Sequence, residues 1–224
     1  MSTGPKQDVF AEFAAVARAL GHPARLELLE LLGQREQSVE ILASRSGLSL
    51  ANASQHLQKL QRAGLVAARR EGRFTRYRLA DDKVLGLLTA LRQVAERRVA
   101  NVDRIVRDYF SHRDALEPVS RDDLLERLRT GTVTVLDVRP PDEYAAGHVP
   151  GALNVSIAEL NSRLLQLDPQ VEVVAYCRGA YCVLSFEAVA LMRDRGFTVR
   201  RLEEGFPEWK AAGLPVASCA SVAR

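Results

Sequence analysis

Cysteine is scarce in this 224-residue chain: there are three, with a single tryptophan and only 6% aromatic residues. Cys177, Cys182 and Cys219 are too few for a structural disulfide framework, so the fold must rest on buried apolar surface. No apolar run approaches the roughly 18–20 residues that span a bilayer. The segment Met1–Lys6 leads into an amphipathic stretch and not an apolar one, so no signal peptide is read. The cytoplasm is the expected location, with no membrane partner. Histidine is sparse as well, at four residues, which leaves little material for an imidazole metal site.

What is present is ordinary for a globular protein: 47% hydrophobic and 26% charged residues. The length suits one large domain or two small ones, each with its own core. The net charge of +3 is unevenly placed. Residues 1–110 hold 18 Lys/Arg against 12 Asp/Glu, whereas residues 111–224 hold 13 against 16. Only the first half is therefore expected to meet a polyanion.

In that half, Val9, Phe10, Phe13, Val16, Ala17 and Leu20 recur at helical spacing. Gly21-His22-Pro23 breaks the pattern, and Pro23 suits the first turn of a second helix, which Gly33 is expected to end. Ser38 is placed to cap a short third helix, and Gly47 to stop it. Ser49 then caps a fourth helix. Its Leu50, Ala53, Leu57 and Leu60 are expected to face the core, turning Asn52, Gln55, His56 and Lys59 outward with Ser54 at the edge. A short helix, a tight turn and a second helix with small polar residues near its start have the form of a recognition helix. Asn and Gln can pair bidentately with adenine, each good pair adding roughly 1–3 kcal/mol of discrimination. A plain solvated helix face is the competing reading.

Residues 66–70 and 74–79 read as strands around the turn Glu71-Gly72-Arg73. Arg69, Arg70, Arg73, Arg76 and Arg78 crowd this hairpin against one acid, Glu71. Guanidinium groups so arranged can lie along DNA phosphates, which position a protein without specifying sequence. Beyond Asp82, Val84, Leu88, Leu91, Ala95, Val99, Val102, Val106 and Tyr109 form a near-heptad seam with one extra step, predicting one long helix. With no partner nearby in sequence, the seam suggests dimerisation; intramolecular packing is the alternative.

The stretch Ala19-Leu20-Gly21-His22-Pro23-Ala24-Arg25-Leu26, the turn Ser54-Gln55-His56-Leu57 and Arg76-Tyr77-Arg78-Leu79 closely resemble ArsR-type winged-helix repressors over about residues 8–105. The resemblance implies a homodimer, built by the first and last helices, on a double-stranded DNA operator. ArsR-type proteins are often metal sensors. Here the third helix lacks cysteine, and the long helix has only Asp103, Asp108 and His112 near its end. No metal and no cofactor are expected, and His22 falls in the turn between helices.

Pro118 and Ser120 mark a junction. A helix near 121–129, strands near 132–138, 171–176 and 199–202, and a helix near 185–195 alternate as in an α/β layer with a mostly parallel sheet. Reactive groups in such sheets collect at the carboxyl ends of strands. Cys177 stands there, before Arg178-Gly179-Ala180-Tyr181-Cys182 and a helix start. Inward N–H groups, the positive helix end and Arg178 favour a thiolate, with a pKa below that of a free thiol. Such a loop can carry a persulfide or hold a sulfur oxyanion; a buried packing cysteine is the plainer reading.

Leu136-Asp137-Val138-Arg139, Glu143-Tyr144, Gly147–Ala152 and Gly205-Phe206-Pro207-Glu208-Trp209 through Val216 resemble rhodanese-type sulfurtransferases over about residues 118–217. The resemblance implies that Cys177 is the sulfur-accepting nucleophile and Arg178, Gly179, Ala180, Tyr181 and Cys182 its cradle. It makes Asp137, Arg139, Glu143 and His148 scaffold residues. The chain departs from the family where arginine often ends the loop: that position is Cys182. The position six after the cysteine, arginine in related phosphatases, is Val183. Phosphate-ester chemistry is disfavoured and thiosulfate turnover weakened, while a second thiol takes the place of the cation.

The expected architecture is therefore two domains, a mainly-α winged helix-turn-helix over 1–110 and an α/β rhodanese-like domain over 118–224, joined by a linker at 111–117. The leading reading is a transcriptional regulator that senses sulfane sulfur or oxidant through Cys177 and Cys182. Its partners would be operator DNA, a second copy of the chain, and a low-molecular-weight sulfur donor or thiol. A tethered sulfurtransferase is the second reading, and a thiol-based arsenite or soft-metal sensor, drawing on Cys219 as well, the third. Otherwise Cys219 lies in a small-residue tail.

Overall fold

The computed structural model describes residues 4–105, 108, 118–164 and 167–219. It falls into two compact units, Met1–Leu88 and Thr89–Arg224. The division lies inside a helix, while residues 111–117 are outside the described residues.

The first unit starts with α1 (Pro5–Leu20) and α2 (Pro23–Gln34). Both open on a proline, whose fixed φ suits the first helical position and whose missing N–H costs nothing there. His22 is the N-cap of α2, its Nδ1 accepting from the Ala24 N–H at 3.2 Å. Gly33 does not end α2; it is buried one residue inside the end, and the side-chain amide of the last residue, Gln34, donates back to the Glu30 carbonyl at 3.2 Å. After β1 (Gln37–Ser38) come α3 (Val39–Arg45) and α4 (Leu50–Arg62). Ser38 occupies the N-cap position of α3, but its hydroxyl makes no capping bond to the helix. It bonds the Glu40 carboxyl and holds it below its usual range. Ser49 does cap α4, accepting from Asn52 N–H at 3.2 Å.

The hairpin β2 (Val66–Glu71) and β3 (Phe74–Leu79) turns at Gly72, whose φ of 60° is the left-handed conformation such a turn requires. With β1 it makes an antiparallel sheet in the order β1-β3-β2. Leu28, Leu29, Leu42, Leu57 and Leu60 are fully buried at the centre of this unit, together with Tyr77 and Val84. Each such leucine stabilises the fold by roughly 1.5–3 kcal/mol relative to exposure. Leu50 does not join them. It is the first residue of α4, before the helix has closed on the core, and is 52% exposed.

The seam after Asp82 is two helices, α5 (Lys83–Arg98) and α6 (Ala100–Ile105), and not one. The break is a single residue: Val99 N–H still bonds Ala95, but Val102 N–H bonds Val99, three residues back, tightening the turn. Val84 is buried in the first unit, whereas Leu91, Val94, Val99 and Ile105 are exposed. Val106, Tyr109 and His112 lie outside the described residues.

The rest of the second unit runs α7 (Arg121–Thr130), β4 (Val133–Asp137), α8 (Pro141–Ala146), β5 (Leu153–Asn154), α9 (Ile157–Arg163), β6 (Glu172–Tyr176), α10 (Val183–Arg193), β7 (Val199–Arg201) and α11 (Phe206–Ala211). The four strands pair in the order β5-β4-β6-β7, every pairing parallel. Side-chain alternation splits the core into two layers. Leu136, Val173, Ala175 and Cys177 face one way with Leu160, Ala188, Val189 and Met192. Val135, Val174 and Tyr176 face the other with Leu124, Phe206 and Trp209. Both faces are covered, which explains why β6 reads Val-Val-Ala-Tyr without polar alternation.

The ion pair of Arg139 and Asp137 is wholly buried. Asp137 accepts from Arg139 N at 3.0 Å, from Arg139 Nη2 at 2.6 Å and from the Tyr176 hydroxyl at 2.6 Å. Arg139 Nη2 also reaches the Gly147 carbonyl at 2.7 Å. Burial opposes the Arg139 charge, yet the Asp137 carboxylate holds its pKa above the usual value; burial pushes the Tyr176 hydroxyl up. These residues tie β4, β6 and the Gly147 turn together beneath the cysteine loop.

Candidate functional site

Cys177 follows the last residue of β6, and Cys182 is the N-cap of α10. The loop between them closes on itself through Cys182 N–H to the Gly179 carbonyl at 3.2 Å. Both cysteines are buried in the α10 face of the core, and their sulfurs are joined as a disulfide across a Cα–Cα distance of 6.2 Å. The four residues between them, Arg178, Gly179, Ala180 and Tyr181, are half-exposed. Cys177 is thus buried, as the plainer reading expects, while the loop that follows it reaches the surface. Cys219 is a free, exposed thiol whose N–H bonds the Ala145 carbonyl at 3.1 Å.

Three contacts hold the loop. The Phe206 N–H donates to the Cys177 carbonyl at 3.0 Å. Gly205 lies so close against the Arg178–Gly179 peptide that a Cβ on it would overlap the backbone of both residues. Arg178 donates from Nη2 and Nε to the carboxylate of Glu143, a fully buried residue of α8. The guanidinium expected to supply charge to the cradle is therefore shared with an internal anion. Glu143 and Gly205 are legible in the sequence only as scaffold, because their partners in the loop lie 35 and 26 residues away along the chain. At the far end of the loop the Tyr181 hydroxyl donates to Glu96 Oε1 on α5 at 2.5 Å. Burial, then that bond, pushes the Tyr181 pKa up. Nothing in the residue pattern points to Glu96.

In the first unit, Ser49, Asn52, Gln55 and Lys59 are exposed on α4 and Ser54 is half-exposed. His56 is the exception to the outward set. Its ring lies tilted against His22 at 4.4 Å between centroids, and its Nδ1 is buried without a hydrogen-bond partner. Burial first, and the neighbouring His22, Arg25 and Lys59 charges after it, hold its pKa below the usual histidine value. The turn that follows α1 folds back over α4, which is why helical spacing alone aims this side chain outward.

The hairpin register sets Arg69 opposite Arg76 and Ala67 opposite Arg78, so these three arginines share the outward face. Glu71 lies on that face too, paired with Arg76 and 3.7 Å from Arg69. Arg69 Nε also donates to Glu36 at 2.8 Å. Arg70 alternates to the opposite side, and Arg73 stacks over the Phe74 ring at the tip.

Among the described residues no three His, Cys, Asp or Glu side chains gather as a metal-binding group, and no helix is long and apolar enough to cross a membrane. His148 stacks on Tyr144 at 3.7 Å and its Nδ1 lies 2.9 Å from the Tyr144 carbonyl, away from the cysteine loop's bonds.

A helix-turn-helix with a basic wing, followed by a cysteine loop at the end of a parallel sheet, defines a DNA-binding regulator carrying a rhodanese-type module. Comparison with known proteins agrees. The rhodanese-like domain family matches residues 120–212, and a helix-turn-helix domain family matches residues 20–69. The HTH-type transcriptional regulator Rv0324 of Mycobacterium tuberculosis is 44% identical over 211 residues, covering 94% of this chain and 92% of that protein. A sulfurtransferase of Allochromatium vinosum is 31% identical over 100 residues, covering 44% of this chain and 92% of its own. The solution structure of the homodimeric winged helix-turn-helix DNA-binding domain of Mb0332 from Mycobacterium bovis is 37% identical, with a TM-score of 0.41, covering 44% of this chain and 92% of that one. The chain belongs to the family of ArsR-type winged helix-turn-helix transcriptional regulators that carry a rhodanese-like domain.

Proposed function

We propose that Cys177 and Cys182 form a two-thiol switch that reads sulfane sulfur or oxidant and changes the affinity of a homodimer for operator DNA. The observation that carries this reading is the second thiol itself: Cys182 closes the loop that Cys177 opens, at a Cα separation of 6.2 Å that suits a disulfide. In the dithiol form the Cys177 thiolate attacks the outer sulfur of a low-molecular-weight persulfide, RSSH. A Cys177 persulfide forms and RS⁻ leaves. The Cys182 thiolate then attacks Cys177 Sγ and expels HS⁻. Two thiols and RSSH become a disulfide, RSH and hydrogen sulfide, the dithiol being oxidised and the sulfane sulfur reduced. Peroxide would close the same pair with loss of water.

Ser49, Asn52, Ser54, Gln55 and Lys59 would face the operator, with His56 at the edge, and Arg69, Arg70, Arg73, Arg76 and Arg78 its phosphates. Val9, Phe10 and Phe13 on α1 are more than half exposed, as is Val94 on α5. Cover by a second copy explains such large apolar side chains better than solvent does. The protein would work in the cytoplasm, where thiols start reduced.

A sulfurtransferase is the second reading, favoured by the likeness to the Allochromatium protein over 100 residues. The engagement of Arg178 by Glu143 and the absence of arginine at Cys182 weigh against rapid thiosulfate turnover. The test combines DNA affinity with mass. Treatment of the reduced protein with polysulfide should remove about 2 Da, the two thiol hydrogens, and shift affinity, and Cys177→Ser should abolish both. Unchanged affinity in the face of the mass change would end the sensing reading; sustained conversion of thiosulfate and cyanide to thiocyanate would favour the enzyme.

A further inference from the structure

One face of α5 reaches the cysteine loop directly at one point and its support at a second. Glu96 accepts the Tyr181 hydroxyl, and Tyr181 is bonded through the chain to Cys182. One turn earlier, Arg92 Nη1 stands 3.9 Å from Glu208 Oε1. Glu208 in turn accepts the Gly205 N–H at 3.1 Å, and Gly205 is the residue pressed against the Arg178–Gly179 peptide. Residues four apart on a helix lie on the same side. Glu96 therefore addresses the Cys182 end of the loop while Arg92 addresses the support of the Cys177 end.

Arg92 is not committed. Its Nε is 3.7 Å from Glu96 Oε1, and that buried nitrogen has no hydrogen-bond partner. Both carboxylates are within ion-pair reach and neither is at hydrogen-bond distance, so a small movement of Glu96 decides which one the guanidinium takes. Opening the disulfide supplies such a movement. It releases Cys182 from its covalent tie to Cys177, and Tyr181 is the residue next to Cys182 in the chain. The other half of the same helix, at Val84 and Leu85, is buried in the core of the first unit.

We infer that Tyr181, Glu96 and Arg92 carry the state of the Cys177–Cys182 pair onto α5, the helix that is common to both units. The inference rests on the proposed sensing role of the two cysteines and assigns its route. Glu96 acts through Tyr181 and is a positioning residue; it has no part in the thiol chemistry.

The test uses the full chain as the dithiol, prepared with dithiothreitol, and as the disulfide, prepared with polysulfide. Its probe is a duplex selected from a random library by the wild-type protein in both states. Two quantities are read: DNA affinity, and amide hydrogen exchange over residues 89–98. The wild type should change affinity about tenfold between the states, within the usual range of allosteric coupling, and should change exchange on α5. Glu96→Ala, which keeps a good helix former at a partly exposed site, should still lose the two thiol hydrogens. It should change affinity less than about twofold and leave α5 exchange alike in the two states. A variant that keeps the full affinity change, or a wild type whose α5 exchange is the same in both states, overturns the route. A wild type whose α5 exchange changes while its DNA affinity does not supports the route and removes the sensing reading. Failure of the disulfide mass loss in the wild type removes both.

Discussion

Arg178 donates to Glu143 from two nitrogens, at 2.7 Å from Nη2 and 3.0–3.1 Å from Nε, and the carboxylate it meets is completely buried. The cation that follows Cys177 in the chain thus helps to hold the loop, and its charge is already matched.

Glu143→Ala should therefore be costly out of proportion to its size. Removing one partner of a largely buried pair leaves the other unmatched, a loss of about 3–5 kcal/mol when both are fully buried. Because Arg178 still reaches solvent, about 2–3 kcal/mol is the expected loss. Urea unfolding of the reduced full chain, followed by fluorescence of Trp209 in the second unit, measures it. A change below about 1 kcal/mol, the worth of an exposed pair, would mean that the interaction contributes little.

Gly205→Ala tests the close approach on the other side of the loop. The φ of Gly205, −107°, is open to any residue, so the demand for glycine is one of space. A methyl group there would overlap Gly179 N and Cα, backbone atoms that cannot rotate away. The loop must shift, and closure of the Cys177–Cys182 pair by polysulfide should slow by about tenfold or more, as followed by alkylation trapping and mass. Closure at the wild-type rate would show that the loop adapts at little cost.

The wing holds its own counter-ion. Glu71 pairs with Arg76, which draws the carboxyl pKa down, and lies near Arg69. Glu71→Gln should release guanidinium charge toward phosphate. DNA binding is expected to tighten, and the slope of log K against log salt to steepen by up to about 0.9 for each further phosphate neutralised. Arg73→Gln should flatten the same slope. Anisotropy titrations at several salt concentrations give both values; unchanged slopes would place the wing away from DNA.

His56 gives the first unit a pH dependence. Its folded pKa lies below that of the unfolded chain because burial and the His22, Arg25 and Lys59 charges disfavour the imidazolium. The unfolded chain then binds the proton more readily. Stability is full above the ordinary histidine pKa of about 6.5 and is lost as pH falls through it toward the lower folded value. His56→Gln should flatten that fall, read as amide exchange of α4 between about pH 7 and about pH 5. An equally steep fall in the variant would assign the proton uptake to another group.

Much of this is legible in the residues. The period-3.6 and continuous apolar patterns locate α4, the wing, β4 and β6, since burial of a helix stripe or a strand core demands those spacings. Cys177 is legible because a thiol before a glycine-containing loop and a helix is a local arrangement. Leu50 and His56 are misplaced by the same reasoning, because spacing gives the direction of a side chain but not where the neighbouring elements end. The short elements α8, β5 and α11 carry too few residues for any period to show.

Two modules, a basic helix-turn-helix and a parallel α/β layer, follow from the chain of residues alone, and so does the identity of the two thiols, because each depends on relations within a short window. The surroundings of those thiols do not. Glu143, Gly205 and Glu96 come to the loop from three different places in the chain, and it is the packing of whole elements in three dimensions, not any spacing along the sequence, that brings them there.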